Sequence, residues 1–332
     1  MQGMRRVLVT GAGGYIGSTL VPLLLRAGYS VRALDRFFFG RHTLPQDDQL
    51  EVVEEDVRAL AMEHLSDIDA VIDLASISND PAGEEFRELT VQVNHLARLR
   101  CARLARQAGV RRYVLPSSCS VYGFQNSHTL CDEGHPINPL TTYACANAAA
   151  EGDVLRLADD SFTVVVLRQA TAFGLSPRMR FDLAINGMTY GAWESRRIPV
   201  LRDGTQCRPM AHVTDLARAL QLMLEVDKDV INGQVFNVGS NEANYEIASM
   251  AAEITAALPV EVQIEWYGDP DTRSYRVNFD RIANLGFQAQ KSAVDGALEV
   301  YHALQAGRVR RTPETITLDW YRHISRLGLL GP

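Results

Sequence analysis

The run Val7-Leu8-Val9-Thr10-Gly11-Ala12-Gly13-Gly14-Tyr15-Ile16-Gly17 constrains the fold more than any other part of the chain. An apolar stretch of buried-strand length passes straight into a glycine-rich turn and then into a helical pattern. Glycines there allow a tight turn and bring backbone N–H groups up to a pyrophosphate at the positive end of the helix. An ordinary strand-to-helix turn would share the glycines, but the following strand, Val31-Arg32-Ala33-Leu34-Asp35, ends in a carboxylate. A carboxylate at that place accepts bonds from the adenosine ribose hydroxyls. Together the features predict a dinucleotide site built on Gly11, Gly14, Tyr15, Ile16, Gly17 and Asp35. Asp35 favours NAD, since its charge repels a 2′-phosphate. Arg36 beside it is the residue type that pairs with that phosphate in NADP enzymes, and a solvated arginine is the simpler reading of it.

The first half continues in the same style. Candidate strands fall at 6–10, 30–35, 50–54, 70–74, 112–116 and 163–168, and candidate helices at 16–27, 86–108 and 142–157. That alternation is the pattern of a parallel sheet covered on both faces, so the expected fold is α/β: a Rossmann-type doubly wound parallel sheet with a smaller C-terminal substrate-binding lobe. The first domain is expected over 1–175 and the substrate lobe mainly over 176–332, with a buried-strand run at 234–239 rejoining the first sheet.

Composition narrows the class. A chain of 332 residues with 46% hydrophobic and 22% charged side chains is globular and long enough for two lobes. A net charge of −7 argues against nucleic-acid or anionic-membrane surfaces. No apolar run reaches the ~20 residues that span a bilayer, and Met-Gln-Gly-Met-Arg-Arg runs into a strand without a secretory apolar region, so the cytoplasm is expected. The five cysteines form no CxxC pair and no zinc spacing, so no metal is expected. Lys228 and Lys291 are the only lysines; every other basic side chain is arginine.

Further motifs carry a resemblance: Asp56-Val57, Asp73-Leu74-Ala75-Ser76, Asn94, Ser117-Ser118-Cys119-Ser120-Val121-Tyr122-Gly123, Tyr143, Leu167-Arg168, Arg208 with His212-Val213-Thr214-Asp215, and Phe236-Asn237-Val238-Gly239. With the glycine turn, they resemble the extended short-chain dehydrogenases/reductases, the nucleotide-sugar epimerases and dehydratases among them, over nearly the whole chain. The resemblance implies that Asp56 and Val57 contact adenine, and that Leu74, Ala75, Ser76, Ser117 and Ala170 flank the cofactor. It makes Tyr143 the acid/base and Ser118 the hydroxyl that binds the reacting sugar oxygen. Ser78, Ser120, Gln169 and Thr171 would line the sugar pocket; Cys119 is expected as a small packing residue, with substrate contact as the alternative. Arg178, Arg208 and Arg273 would hold the substrate's diphosphate, for which a guanidinium fork is suited. The helices around 86–108 and 144–150 resemble the surfaces this family pairs into a homodimer; a monomer burying those alanines internally is the alternative.

Two departures bear on chemistry. The family pattern Tyr-x-x-x-Lys is here Tyr143-Ala144-Cys145-Ala146-Asn147, so Asn147 takes the lysine's place on the same helix face. An asparagine amide can keep the lysine's grip on the nicotinamide ribose, but it carries no charge. A unit charge about 5 Å away at an effective dielectric near 20 is worth roughly 3 kcal/mol, or about 2 pKa units. Without it a tyrosine is expected to stay protonated at neutral pH, a poor base and a serviceable acid. The second departure is the pair Cys119-Ser120, where the family's 4,6-dehydratases carry Asp-Glu and its decarboxylases a glutamate at the second place. Hydride transfer with proton transfer at one centre remains. Three readings stay open: a nucleotide-sugar 4-epimerase retaining NAD, a keto-sugar reductase consuming NADH or NADPH, and a silent dinucleotide-binding protein.

Overall fold

In the structure, a computed structural model described over residues 5–125, 129–269 and 273–331, seven strands pair in parallel throughout. They are β1 (Arg6–Thr10), β2 (Ser30–Asp35), β3 (Leu50–Glu54), β4 (Ala70–Asp73), β5 (Arg112–Ser118), β6 (Thr163–Gln169) and β7 (Gln234–Val238). Their spatial order is β7-β6-β5-β4-β1-β2-β3. The chain winds outward one way through β1, β2 and β3 and the other way from β4, which opens a crevice at the carboxyl ends of β1 and β4.

Side-chain alternation distributes the core over both faces. Val7 and Val9 pack on one side with α1 (Gly17–Arg26) and the helix Val213–Glu225, while Leu8 packs on the other with α2 (Arg98–Gln107) and α3 (Thr142–Leu155). Strands buried on both sides must be apolar at nearly every position, which is why 6–10 and 163–168 carry so little polar punctuation.

Two elements differ from expectation. β5 runs on to Ser118, which carries Ser117 and Ser118 to the mouth of the crevice. The expected single helix over 86–108 is instead Arg87–Val91, a π turn at Gln92–Ala97, and then α2. Asn94 lies fully buried in that turn, its amide bonded to the N–H and C=O of Ile77 at 2.8 and 3.0 Å. Polar groups held inward at a widened turn are a common way to accommodate one extra residue in a helix.

The second lobe holds a three-stranded sheet (Thr171–Phe173, Cys207–His212, Asn244–Glu246) and the pair Arg197–Leu201 with Gln263–Tyr267. The helices Ala184–Ser195, Ile247–Ala257 and Ala293–Gln305 pack around them over their own apolar core. The lobes interleave. β7 returns to the first sheet, and the last helix, Thr317–Arg326, folds back onto the loop after β2, where Trp320 Nε1 donates to Phe38 O at 2.7 Å. Among the described residues, no helix is long and apolar enough to cross a membrane.

Candidate active site

A cleft of about 780 Å³ runs between the lobes over the carboxyl ends of the strands. Its dinucleotide half is shaped by glycines. Gly11 has φ +64°, and a Cβ there would lie 2.6 Å from the Leu74 carbonyl carbon. A Cβ on Gly17 would lie 2.3 Å from Gly11 O, so the turn and the first turn of α1 close only without side chains. Gly14, Tyr15, Ile16, Leu74, Ala75, Ser76, Val57, Ser117 and Ala170 line the same half. Asp35 accepts N–H bonds from Gly13 and Phe37 at 3.0 and 2.7 Å. Burial pushes its carboxyl above the usual range, and those bonds oppose the shift.

Arg36 is not a solvated arginine. It pairs with Asp56 at 3.0 Å and donates to the carbonyls of Leu329 and Leu330, while Arg58 bonds Asp56 and Leu330 O. The C-terminal segment therefore straps the adenosine end of the cleft, with Leu330 and Tyr321 in its wall.

Arg178 also departs from expectation. Its backbone N–H donates to Ser18 of α1 at 3.4 Å, its guanidinium stacks 3.7 Å over Phe39, and Nη2 donates to Thr317 at 3.0 Å. The loop that follows Gly174 thus carries it beside α1 and the loop after β2, at the dinucleotide half. It is 4% exposed, its Nε has no partner, and no carboxylate pairs with it among the described residues. Burial, then the neighbouring Arg180, depress it from the usual 12.5 to about 9. Arg180, which motif reading missed, is buried against Asp182 at 2.7 Å and reaches Ser78.

The other half gathers Ser118, Ser120, Tyr143, Gln169, Thr171, Ser78, Arg208 and Arg273. Tyr143 enters from the first turn of α3, whose N-terminus Thr141 caps by accepting the Ala144 N–H at 3.1 Å. Burial pushes the Tyr143 phenol above its ordinary 10; Arg98 opposes, Asp80 reinforces, and Ser118 and Arg180 oppose. Ser120 Oγ, Gln169 Nε2 and Gln206 Oε1 belong to this half as buried polar atoms with no hydrogen-bond partner among the described residues. Arg273 is ion-paired with Asp80, and Arg208 lies over the Tyr275 ring at 5.0 Å and donates to Arg273 O. Residues 270–272 of the turn before Arg273 lie outside the described residues.

Two expected site residues do not reach the cleft. Cys119 is 1% exposed and donates to Arg168 O at 3.2 Å, and burial pushes its thiol up. Asn147 is 1% exposed with both ends of its amide engaged: Nδ2 donates to Tyr143 O at 2.9 Å, and Oδ1 accepts from Arg98 Nη1 at 2.6 Å. Nδ2 keeps a second N–H, but the side chain is not among the residues lining the cleft. The motif residues Arg168 and Tyr122 are structural: Arg168 pairs with buried Glu151 at 2.8 Å, and Tyr122 donates to Asn237 at 2.8 Å. Ala144, Ala146 and Ala150 are buried within this chain, while Ala148 and Ala149 are half-buried.

The fold and cleft define a dinucleotide-binding α/β protein. The glycine cradle, the ribose-side carboxylate and the buried unpaired guanidinium of Arg178 fit such a cofactor. Residues 7–239 match the family described as "NAD dependent epimerase/dehydratase family", and the chain belongs to that family of NAD-dependent enzymes. A UDP-glucose 4-epimerase from Mycolicibacterium smegmatis is 28% identical over 306 residues, covering 88% of this chain and 96% of that protein. UDP-glucuronic acid decarboxylase 1 from Xenopus tropicalis is 28% identical over 231 residues; the match takes 66% of this chain and spans 53% of that protein's length. The solved structure of MoeE5 in complex with UDP-glucuronic acid and NAD superimposes with TM-score 0.79 at 30% identity, covering 91% of this chain and 99% of that one.

Proposed function

We propose that the protein is a nucleotide-sugar 4-epimerase acting in activated-sugar biosynthesis, with a nucleoside-diphosphate sugar as substrate and NAD retained between turnovers. The observation that carries this reading is the convergence of Tyr143 and Ser118 on a cleft half that also holds three unpartnered polar atoms. NAD, when bound, supplies the hydride acceptor for the sugar carbinol and the donor for the ketone. Ser118 orients the sugar oxygen, and Tyr143 moves the proton on and off it. Ser78, Ser120, Gln169 and Thr171 contact the sugar. Arg208 and Arg273 take the substrate diphosphate, with Arg273 exchanging Asp80 for phosphate oxygens. Arg178 takes the cofactor's pyrophosphate. Asp35 and the engagement of Arg36 by Asp56 and the strap support NAD over NADP. The Cys119-Ser120 pair, Cys119 buried and Ser120 in the cleft, puts no carboxylate at those two places, which supports proton transfer at one centre; Asp80 is a carboxylate that lines the same half.

A second reading, keto-sugar reduction, is favoured by the raised Tyr143 phenol, an acid held protonated. Incubation with a panel of UDP-, GDP- and dTDP-sugars and keto-sugars separates the two. An epimerase inverts a stereocentre with no net NADH change, and a reductase consumes NADH in step with product. No turnover with any of them would sink both readings and leave a binding protein. Cytoplasmic location and homodimerisation belong to the proposal as well. Val91 and Leu96 are exposed apolar residues on the helical segment 87–107, and light scattering tests the dimer.

A further inference from the structure

Arg98 is a cation that the cleft's binding chemistry does not use. It is 3% exposed, its Nε has no acceptor, and among the described residues no carboxylate pairs with it. Burying a guanidinium without a counter-charge is strongly unfavourable unless something nearby benefits from the field. The geometry shows what is nearby. Arg98 Nη1 donates to Asn147 at 2.6 Å, and the Asn147 amide donates to the Tyr143 carbonyl at 2.9 Å. Tyr143 and Asn147 stand at i and i+4, on one face of α3. The π turn at Gln92–Ala97 immediately precedes Arg98, and one extra residue turns everything after it by about 100°.

We propose that Arg98 is a positioning residue that stabilises the Tyr143 phenolate. It supplies from a second helix the positive charge that position 147 lacks, and Asn147 seats it. This rests on the reading that Tyr143 moves the substrate proton. In the oxidising direction the sugar O–H breaks and its proton joins Tyr143 Oη; in the reducing direction Oη–H breaks and the proton returns. Arg98 changes no bond. Arg98, Arg180 and a hydrogen bond from the Ser118 hydroxyl favour the ionised phenol, and Asp80 opposes them. Glu84 accepts the Thr142 N–H at 2.6 Å beside them. Tyr113, whose hydroxyl reaches the Arg98 carbonyl at 3.1 Å, and Thr10 take up the buried Asp73 carboxylate.

The test is ¹⁹F NMR on protein carrying 3,5-difluorotyrosine, whose ring fluorines bring phenol ionisation into an accessible range. The Tyr143 signal is identified by its loss in Tyr143→Phe and titrated with and without NAD. Arg98→Gln should move its midpoint upward by about one to two pH units. Arg98→Lys should keep it near wild type, and Arg98→Gln with Asn147→Lys should bring it back. A folded Arg98→Gln variant with an unmoved midpoint, or a double variant that fails to return, overturns the proposal. If Arg98→Gln does not fold, Asn147→Asp neutralises the guanidinium in place, and an unmoved midpoint there is equally fatal. The titration uses no sugar. Its failure leaves the epimerase reading standing, and loss of that reading with an Arg98-dependent titration leaves the electrostatic coupling standing.

Discussion

Replacing Arg178 by methionine should move the stability of the cofactor-free protein and its affinity for NAD in opposite directions. The guanidinium is 4% exposed, beside Arg180, and depressed from the usual 12.5 to about 9. A displacement of that size corresponds to about 5 kcal/mol of unfavourable environment for the charged form. The stack on Phe39 and the bond to Thr317 already compensate part of the burial, and local relaxation removes more. A net penalty of about 1–3 kcal/mol in the cofactor-free state is the working figure. Methionine keeps the contact with Phe39 and removes the charge, so the cofactor-free melting temperature should hold or rise by a few degrees. The same change deletes a charge-assisted contact to the pyrophosphate, worth about 1.5–3 kcal/mol, so NAD should bind about 10- to 100-fold more weakly. Differential scanning fluorimetry gives the first quantity and isothermal titration calorimetry the second. A variant that melts lower without cofactor and still binds NAD with native affinity would refute the assignment and make Arg178 a structural residue of the Phe39–Thr317 corner.

Other perturbations have equally definite outcomes. Gly17→Ala should abolish the NAD-induced rise in melting temperature, because its Cβ would fall 2.3 Å from Gly11 O. Glu151→Gln strips the partner from buried Arg168, side chains 5% and 8% exposed, and should cost about 3–5 kcal/mol in urea unfolding. Tyr143→Phe should lower kcat about 10²- to 10⁴-fold with NAD binding unchanged by calorimetry. Burial pushes the Asp56 carboxyl upward, but hydrogen bonds and charge from Arg58, with Arg36, outweigh it and hold the group below the usual range. Its stabilising contribution is therefore present above about pH 4 and is lost as pH falls through the lowered value. Limited proteolysis should show the C-terminal strap loosening in acid, and Asp56→Asn should show it already loosened at pH 7.

The strands of the sheet and the glycine turn were legible because their signals are local: a continuous apolar run, a φ-permissive turn, a carboxylate one strand on. Tyr143 and Ser118 were legible because each sits inside a contiguous motif. Arg98 was not. Its relation to Tyr143 crosses two helices and depends on a π turn that periodicity at 3.6 residues cannot register. Asn147 lies on the helix face its spacing gives, but its bond to Arg98 is not legible, since spacing shows which side a residue faces and not which partner takes its amide. The surroundings of Arg178 are not legible, because the loop after Gly174 turns it toward α1 and no local pattern encodes that path. The strap formed by Arg36, Arg58, Leu329 and Leu330 spans nearly the whole chain length, beyond the reach of any motif.

Neither of the chain's two lysines, Lys228 and Lys291, lines the cleft, so its positive field is carried entirely by guanidinium groups. Amine-directed acylation, whether by metabolic acyl donors or by laboratory esters, would leave that field intact. Dicarbonyl reagents that condense with arginine would weaken it from the Arg273 side, whose side chain is 35% exposed, while Arg98, Arg178 and Arg180 stay shielded by burial.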